Sequence, residues 1–338
     1  MSDFKINSIA TKQGQHGPVI AGVSTINSTG CMKIPSGPTE FRGGRGRNVT
    51  YGGNGPTYLN SMNVMEISTA GSAVDFGDAS DNNGFSSGMG SSTRGVFKQG
   101  RDSPGFTNTI EFVTFSTDGG VTDFGDDAGP SQDSSASSSD GTRGIFGNGT
   151  SYDKKIRYIT LATTGNSREF GDLISGRYMG GGAGGASRTR GFFFGGLVPG
   201  SPAGDNVIEF VTIQTFGNTS DFGDLTLGRR AIAAVTNNTR AVACSGDTPA
   251  TNRMDYITMA TQGDATDFGD ITRQAAGYGA GGSSATRGVI SGCAPAPAAN
   301  SIDYITFAST GNATDFGDTT YNNYLNGVCS DSHGGLRS

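Results

Sequence analysis

The sequence Gly-Asn-Ala-Thr-Asp-Phe-Gly-Asp, at residues 311–318, ends in a tetrapeptide, Asp/Glu-Phe-Gly-Asp, that the chain contains six times. Successive copies are separated by 48, 46, 52, 46 and 48 residues. A nearly constant period of this length indicates one supersecondary unit copied along the chain. Because the motif is a repeated part, it argues against a single catalytic centre. The copies begin at Asp75, Asp123, Glu169, Asp221, Asp267 and Asp315.

A hairpin of fixed length is predicted before every tetrapeptide. A glycine lies four residues before each copy, as at Gly165 and Gly311, and Asn, Asp, Ser or Gly follows it. Gly-Asn pairs between alternating runs are typical of tight hairpin turns, because such turns need positive φ. A β-rich run also begins thirteen residues before each tetrapeptide, for example at residues 110–113 and 302–305. The constant offset predicts a hairpin that tolerates no insertion.

Two further strands are predicted upstream of this hairpin. A Thr-Arg pair followed by Gly or Ala and apolar residues recurs, as at residues 142–146, and small-residue runs such as 84–88 and 275–279 precede it. We name the four strands of a unit a (small residues), b (after Thr-Arg), c (the β-rich run) and d (the tetrapeptide). The b–c connection varies in length, as surface loops do. Four short antiparallel strands at this spacing predict a β-propeller.

The chain ends predict how the ring closes. The first b–c–d set, at about residues 47–78, has no convincing strand a before it, and the C-terminal tail contains one strand-like run at residues 324–329. We expect this run to supply strand a of blade 1 and to close a six-bladed ring, since closure removes exposed sheet edges. A further partial blade built from residues 1–42 is the alternative.

Composition limits the function classes. The 338 residues carry a net charge of −6 without a basic run, which disfavours nucleic acid as a partner. No stretch of about 18 apolar residues could span a membrane, and the N-terminus lacks the pattern of a secretory signal. The cysteines are far apart and have no metal-ligand spacing, so we expect small buried residues. They are Cys31, Cys244, Cys293 and Cys329.

Residues 1–42 do not fit the repeat. Short β-competent runs, such as residues 18–23, alternate there with Pro and Gly. This pattern suits an extended arm that docks on a partner by adding a strand to its sheet. A flexible tail is the alternative. We therefore divide the chain into a docking arm at residues 1–42 and an all-β, six-bladed propeller at residues 43–338.

The sequence predicts no catalytic residues, metal or cofactor, and it leaves binding residues unknown. Asp-Phe-Gly is a protein-kinase signature, but here it is sixfold and lacks the other kinase motifs. The glycine-rich runs 180–185 and 279–282 do not lead into a helix, as a phosphate-binding loop would. Only His16 and His333 exist, one near each chain end, which disfavours a catalytic triad or a histidine metal centre.

The tetrapeptide acids and the repeated arginines admit two interpretations. In the favoured one, each arginine bonds a carboxylate or the backbone carbonyls of the next turn and so joins adjacent blades. In the other, the acids and carbonyls form repeated calcium sites, although two acids per turn are few ligands for calcium. We expect each tetrapeptide Phe to wedge between blades. The arginines are Arg47, Arg94, Arg143, Arg190, Arg240 and Arg287.

The order of these elements resembles that of kelch-type propeller blades. Kelch repeats usually carry Trp where this chain has Phe, and their Gly-Gly doublet survives clearly at Gly195-Gly196. The segments 302–306 and 311–318 are similar to repeats in virion structural proteins of marine tailed phages, particularly cyanophages. That resemblance covers about residues 47–320, and residues 17–24 are similar to leader segments of such proteins.

The resemblance implies a tail or fibre component of a phage particle. We expect a non-enzymatic structural protein, located in the virion in several copies and attached to other virion proteins through its arm. The variable b–c loops, for example residues 98–108 and 198–206, are candidates for contact with a glycan or protein of the host surface. Two alternatives remain: a carbohydrate-binding, lectin-like propeller with repeated sugar sites, and a kelch-type enzyme.

Overall fold

A computed structural model describes residues 46–332, except residues 103–104, 131–132, 134, 148, 179–183, 274–276 and 294–299. The described residues form 24 strands in six sheets, and they contain no helix long and apolar enough to cross a membrane. The predicted arm at residues 1–42 and its boundary with the propeller lie outside the described residues.

The strands are numbered in chain order. They are β1 (Arg47–Tyr51), β2 (Leu59–Glu66), β3 (Val74–Asn83), β4 (Ser87–Gly90), β5 (Arg94–Lys98), β6 (Thr109–Thr114), β7 (Thr122–Asp126), β8 (Ala136–Ser139), β9 (Arg143–Gly147), β10 (Lys155–Thr160), β11 (Arg168–Asp172), β12 (Gly184–Ala186), β13 (Arg190–Phe194), β14 (Val207–Thr212), β15 (Ser220–Asp224), β16 (Ala233–Thr236), β17 (Arg240–Gly246), β18 (Thr251–Thr258), β19 (Thr266–Asp270), β20 (Ala280–Ser283), β21 (Arg287–Ser291), β22 (Ser301–Thr306), β23 (Thr314–Asp318) and β24 (Gly327–Ser330).

Each sheet is one antiparallel blade with its strands in the order a-b-c-d. Blades 2 to 6 are β4–β7, β8–β11, β12–β15, β16–β19 and β20–β23, and blade 1 is β24-β1-β2-β3. The a strands contact one another around the ring, from β24 through β4, β8, β12, β16 and β20 back to β24. The predicted six-bladed propeller is therefore confirmed.

The two chain ends build blade 1 together. β24 pairs with β1, so that Cys329 lies opposite Val49. Beyond the pair, the Gly46 N–H donates to Asp331 Oδ1 at 3.0 Å, and the Asp331 N–H donates to the Arg47 carbonyl at 3.0 Å. The predicted closure by the C-terminal strand is confirmed.

The a strands begin later than the sequence predicts. The small-residue runs at 84–88 and 275–279 predict strands, whereas β4 begins at Ser87 and β20 at Ala280. Phe85 and Tyr278 have φ values of 57° and 63°, and such a left-handed backbone cannot continue a strand. Small residues are needed further along, because a Cβ on Gly88 would lie 2.3 Å from the Val328 carbonyl oxygen of the preceding blade.

The hydrophobic core lies between the blades. Phe124, which is buried, packs with Ile110 of its own blade 2 and with Phe146 and Ile159 of blade 3. The tetrapeptide Phe is buried in every copy. A β-bulge in each c–d pair leaves this Phe outside the regular register, as between Ile110 and Glu111 opposite β7. The predicted wedge is confirmed.

The glycine before each tetrapeptide joins neighbouring blades and does not make the hairpin turn. The tight turn lies earlier, where the Thr117 N–H donates to the Thr114 carbonyl at 3.1 Å. At all six interfaces the glycine N–H instead donates to the tetrapeptide Phe carbonyl of the preceding blade, at 2.7–3.2 Å. The Asn after it also bonds across the interface, as Asn166 Oδ1 accepts from the Asp126 N–H. The prediction of a Gly-Asn turn is wrong, because these residues bond to the preceding blade.

Three of the four cysteines are free and buried, as predicted: Cys244, Cys293 and Cys329. Cys31 lies outside the described residues. Burial raises the pKa of Cys293 to about 11, raises that of Cys244 further, and raises that of Cys329 well above its usual range. Unfolded thiols ionise at lower pH than these buried thiols, so each cysteine lowers stability as pH rises through that interval.

We expect a Cys293→Ala variant to reveal this effect. Between about pH 8 and pH 10.5, the wild type should lose about 2 kcal/mol of unfolding free energy relative to the variant. Urea denaturation at both pH values measures the difference. Lys98, whose pKa burial lowers to about 8, titrates in both proteins and cancels. A difference that does not change with pH would contradict the prediction.

Candidate binding face

The tetrapeptide acids do not converge on a common site. In each copy the first acid is exposed and the last is exposed or half-buried, while the Phe between them is buried. Within the part of the chain that the structure describes, no group of three or more His, Cys, Asp or Glu side chains is placed to hold a metal ion. The calcium interpretation gains no support from this geometry. His16 and His333 lie outside the described residues.

The repeated arginines join each blade to the next. Arg94 of blade 2 donates to the Leu161 and Ala162 carbonyls in the c–d turn of blade 3, at 3.3 and 2.9 Å. Its guanidinium also lies over the Phe112 ring, 4.6 Å from the ring centroid. The other five make the equivalent carbonyl bond: Arg47, Arg143, Arg190, Arg240 and Arg287. The structural interpretation of these arginines is confirmed.

A second ring of polar residues was not predicted. A β-rich run begins thirteen residues before each tetrapeptide, and its second residue is polar in every copy. This polar residue is buried and faces the preceding blade, although it alternates with apolar residues. Each of these side chains bonds to the segment that follows the preceding tetrapeptide; for example, Asp303 accepts from the Thr272 N–H at 3.0 Å. The six residues are Asn63, Glu111, Arg157, Glu209, Asp255 and Asp303.

One member of this polar ring, Asp255, forms a fully buried ion pair with Arg229 of the segment that joins blades 4 and 5. Arg229 Nη1 lies 2.6 Å from Asp255 Oδ2, and both side chains are fully buried. Arg229 also donates to the Leu227, Ala243 and Ser245 carbonyls, so four of its five N–H donors have partners. Each charge of the pair requires the other, because a single unpaired charge buried in this position would be strongly unfavourable. These charges serve the blade interface.

The propeller axis is nearly filled. Backbone and small side chains of the a strands line it, and the remaining cavity is about 30 Å³. A cavity of that size has room for about two water molecules. As far as the described residues define it, the axis therefore offers no site for a substrate-sized ligand. The lining residues include Gly88, Ser137, Gly185, Thr236, Gly281 and Ser330.

The two faces of the ring differ in their aromatic residues. We name them the loop face, which carries the b–c and d–a connections, and the hairpin face, which carries the a–b and c–d turns. In the described connections of the hairpin face, Phe216 is the one aromatic side chain that is not buried. The described loop-face connections have eight that are exposed or half-buried: Tyr58, Phe85, Phe106, Tyr152, Tyr178, Tyr278, Tyr321 and Tyr324.

Part of the loop face is an ordered group around one ion pair. Arg230 Nη2 lies 3.0 Å from Asp247 Oδ2, and the Tyr278 hydroxyl donates to the same oxygen at 3.2 Å. The Arg230 guanidinium lies over the Tyr178 ring, 5.2 Å from its centroid. Burial is the main cause that raises the pKa of Tyr278 to about 12, so its hydroxyl stays a donor at neutral pH.

The group continues across the inner ends of the blades. The Tyr278 and Phe85 rings meet edge to face with centroids 6.5 Å apart. Arg101 lies over both Phe85 and Phe106, at 5.8 and 4.7 Å, and pairs with buried Asp133 at 3.3 Å. We call the whole set the loop-face strip; it consists of Phe106, Arg101, Phe85, Tyr278, Asp247, Arg230 and Tyr178.

Both described ends of the chain lie on the hairpin face. Gly46, the first described residue, accepts from the Ile67 N–H at the start of a c–d turn, and it donates to Asp331. The loop-face strip lies on the opposite face. The sequence did not single out the strip, because its residues come from connections without a common length or motif.

No family model matches this sequence, and no curated protein matches it. The assignment as a propeller therefore rests on the strand pairing and the ring contacts. The likeness to kelch repeats and to phage virion repeats stays an expectation from the residues that carry it.

Proposed function

We propose that this protein is a non-enzymatic structural component of a phage particle, a propeller that other virion proteins hold through residues 1–42. In this proposal the loop face points away from the particle and contacts the host surface. The protein would be present in several copies in the virion, as part of a tail or fibre. The resemblance of the repeats to virion proteins of tailed phages supports this setting.

The observation that carries the proposal is the difference between the two faces of the propeller. The chain enters and leaves the described ring on the hairpin face, beside the bond between Gly46 and Asp331. Among the described connections between strands, those of the loop face carry eight of the nine aromatic residues that are exposed or half-buried, and the variable b–c loops at residues 98–108 and 198–206 lie on the same face. Aromatic residues beside arginine are enriched where proteins bind partners. Attachment on one side would leave the other side free.

The use of the repeated charged groups supports a role without catalysis. The six recurrent arginines and the polar ring of the c strands bond across the blade interfaces. These hydrogen bonds stabilise the propeller, and they occupy the repeated arginines and the buried polar residues of the c strands. A propeller fold by itself does not define a chemistry, so the proposal rests on these assignments and on the two faces.

Deleting residues 1–40 tests the attachment. We expect the shortened protein to fold into the same ring, with an unchanged far-ultraviolet circular dichroism spectrum, and to be missing from purified particles. Immunoblots of particles that assemble with the variant gene measure its incorporation. The matched control is Tyr152→Ser, which changes an exposed loop-face residue and keeps the arm; this variant should incorporate normally. Normal incorporation of the shortened protein would refute attachment through the arm.

A further inference from the structure

We infer that the loop-face strip binds a neutral saccharide, and that Tyr178, Arg230, Asp247 and Tyr278 form its principal subsite. The inference builds on the proposed function, since it names the chemistry of the surface that the loop face contacts. It requires a single site per ring, because the strip does not follow the sixfold repeat. This differs from the sugar sites on every blade that a lectin-like propeller leads one to expect.

The polar groups of the subsite are held in place before any ligand arrives. Asp247 Oδ2 accepts from Arg230 Nε and Nη2, at 3.3 and 3.0 Å, and from the Tyr278 hydroxyl. Asp247 Oδ1 accepts from the Thr248 N–H at 2.8 Å. Both charged side chains are 23% exposed, so a ligand can reach them. Polar groups that are already ordered lose little conformational entropy on binding.

Arg230 keeps N–H donors for a ligand. Its Nε and Nη2 are used by Asp247, whereas Nη1 has no hydrogen-bond partner among the described residues. A guanidinium carries five N–H donors in a fixed plane, and the ion pair sets the direction of the remaining ones. A hydroxyl group is a matching acceptor, and it can in turn donate to an oxygen of Asp247 or Tyr278.

Aromatic rings alternate with these polar groups along the strip. Tyr178 lies beneath Arg230, while Phe85 and Tyr278 meet edge to face near the inner ends of the blades. Phe106 extends the strip and is 44% exposed. A saccharide has apolar C–H faces and a rim of hydroxyls. It can therefore pack a face on an aromatic ring while its hydroxyls bond to the fixed polar groups.

Charge favours a neutral ligand over an acidic one. The strip contains two arginines, and each is paired with an aspartate, Arg230 with Asp247 and Arg101 with Asp133. The local charges therefore cancel, and the whole chain carries a net charge of −6. An acidic polysaccharide would be repelled by the protein as a whole and would find no unpaired cation in the strip.

The size of the strip favours a small ligand over a protein partner. Seven side chains form it, whereas a stable protein–protein interface uses about 20–30 residues on each side. A shallow site of this size should bind with a dissociation constant of about 1 mM. Several copies of the ring in one particle would raise the effective affinity for a surface that repeats the same saccharide.

A single tryptophan can report on this site, because the chain contains none. In a Tyr178→Trp variant, neutral hexasaccharides of glucose, mannose or galactose should change the emission saturably, with a midpoint of about 1 mM for at least one of them. The matched control is Phe216→Trp, which replaces the exposed aromatic residue of the hairpin face and should not respond. A hexasaccharide of uronic acids should bind more weakly than the neutral sugars.

Removing the aromatic side chain of Tyr178 completes the test. We expect Tyr178→Ala to weaken binding at least about tenfold in calorimetry, while the lost contact with Arg230 lowers the melting temperature by only about 3 °C. No saturable response to any of the three neutral sugars would overturn the inference, as would equal responses from both reporters or stronger binding of the acidic sugar. The assays use the purified full chain. Their failure would leave the particle proposal standing, and failure of arm attachment would leave the saccharide site standing.

Discussion

Removing residues 326–338 should prevent the ring from closing and leave an aggregating, poorly folded chain. The deletion takes away β24, so β1 keeps an unpaired edge that can pair with other chains. Burial of Val328 and Cys329 and a few ladder hydrogen bonds are lost, which together cost about 5–10 kcal/mol. A loss of that size is comparable with the whole stability of a typical domain.

The control is a shorter deletion of residues 333–338, which keeps β24 and the Asp331 carboxylate bonded to Gly46. Size-exclusion chromatography and thermal unfolding compare the two proteins. We expect the shorter deletion to remain monodisperse with a cooperative transition. Should the longer deletion behave in the same way, closure by the C-terminal strand would not be required for the fold.

Asp255→Ala should be among the most damaging single substitutions in this protein. It leaves the Arg229 guanidinium buried between blades 4 and 5 without its carboxylate, at a cost of about 3–5 kcal/mol. The matched control in the same blade is Asp267→Ala, which removes the first, exposed acid of the tetrapeptide and should change stability by less than about 0.5 kcal/mol.

Urea denaturation of the two variants measures the difference directly. The comparison distinguishes the buried acids of the c strands from the acids of the tetrapeptides. If Asp267→Ala proved as destabilising as Asp255→Ala, the tetrapeptide acids would have a structural role that the hydrogen bonds do not reveal. Equal and small effects would instead mean that Arg229 is satisfied by its carbonyl partners alone.

The repeat made most of the architecture predictable. The period of the tetrapeptide, the constant hairpin and the strand-like tail together specify six blades and the pairing of β24 with β1. The position of Phe124 and its equivalents between blades also follows, since a large aromatic residue in every copy needs a shared place to pack. These predictions succeed because identical units can stack in few ways.

Other features could not be read from the chain. The alternation of polar and apolar residues along the c strand does not predict that Glu209 is buried. Its burial depends on hydrogen-bond partners outside its own strand, such as the Ile174 N–H, and the local sequence does not reveal them. The Gly-Asn pairs look like local turns, but the structure uses them to contact the preceding blade. The loop-face strip depends on six separate connections that meet near the axis, and no sequence spacing encodes that meeting.

The pairing of β1 with β24 also fixes the order of events during synthesis. Val49 leaves the ribosome 280 residues before its partner Cys329, a delay of roughly 15–60 s at usual rates of translation. Throughout that time blades 2 to 6 can form in succession, each against the one before it, while the first sheet waits incomplete. Until β24 has been synthesised, the free edge of β1 is therefore open to chaperones that cover exposed strand edges.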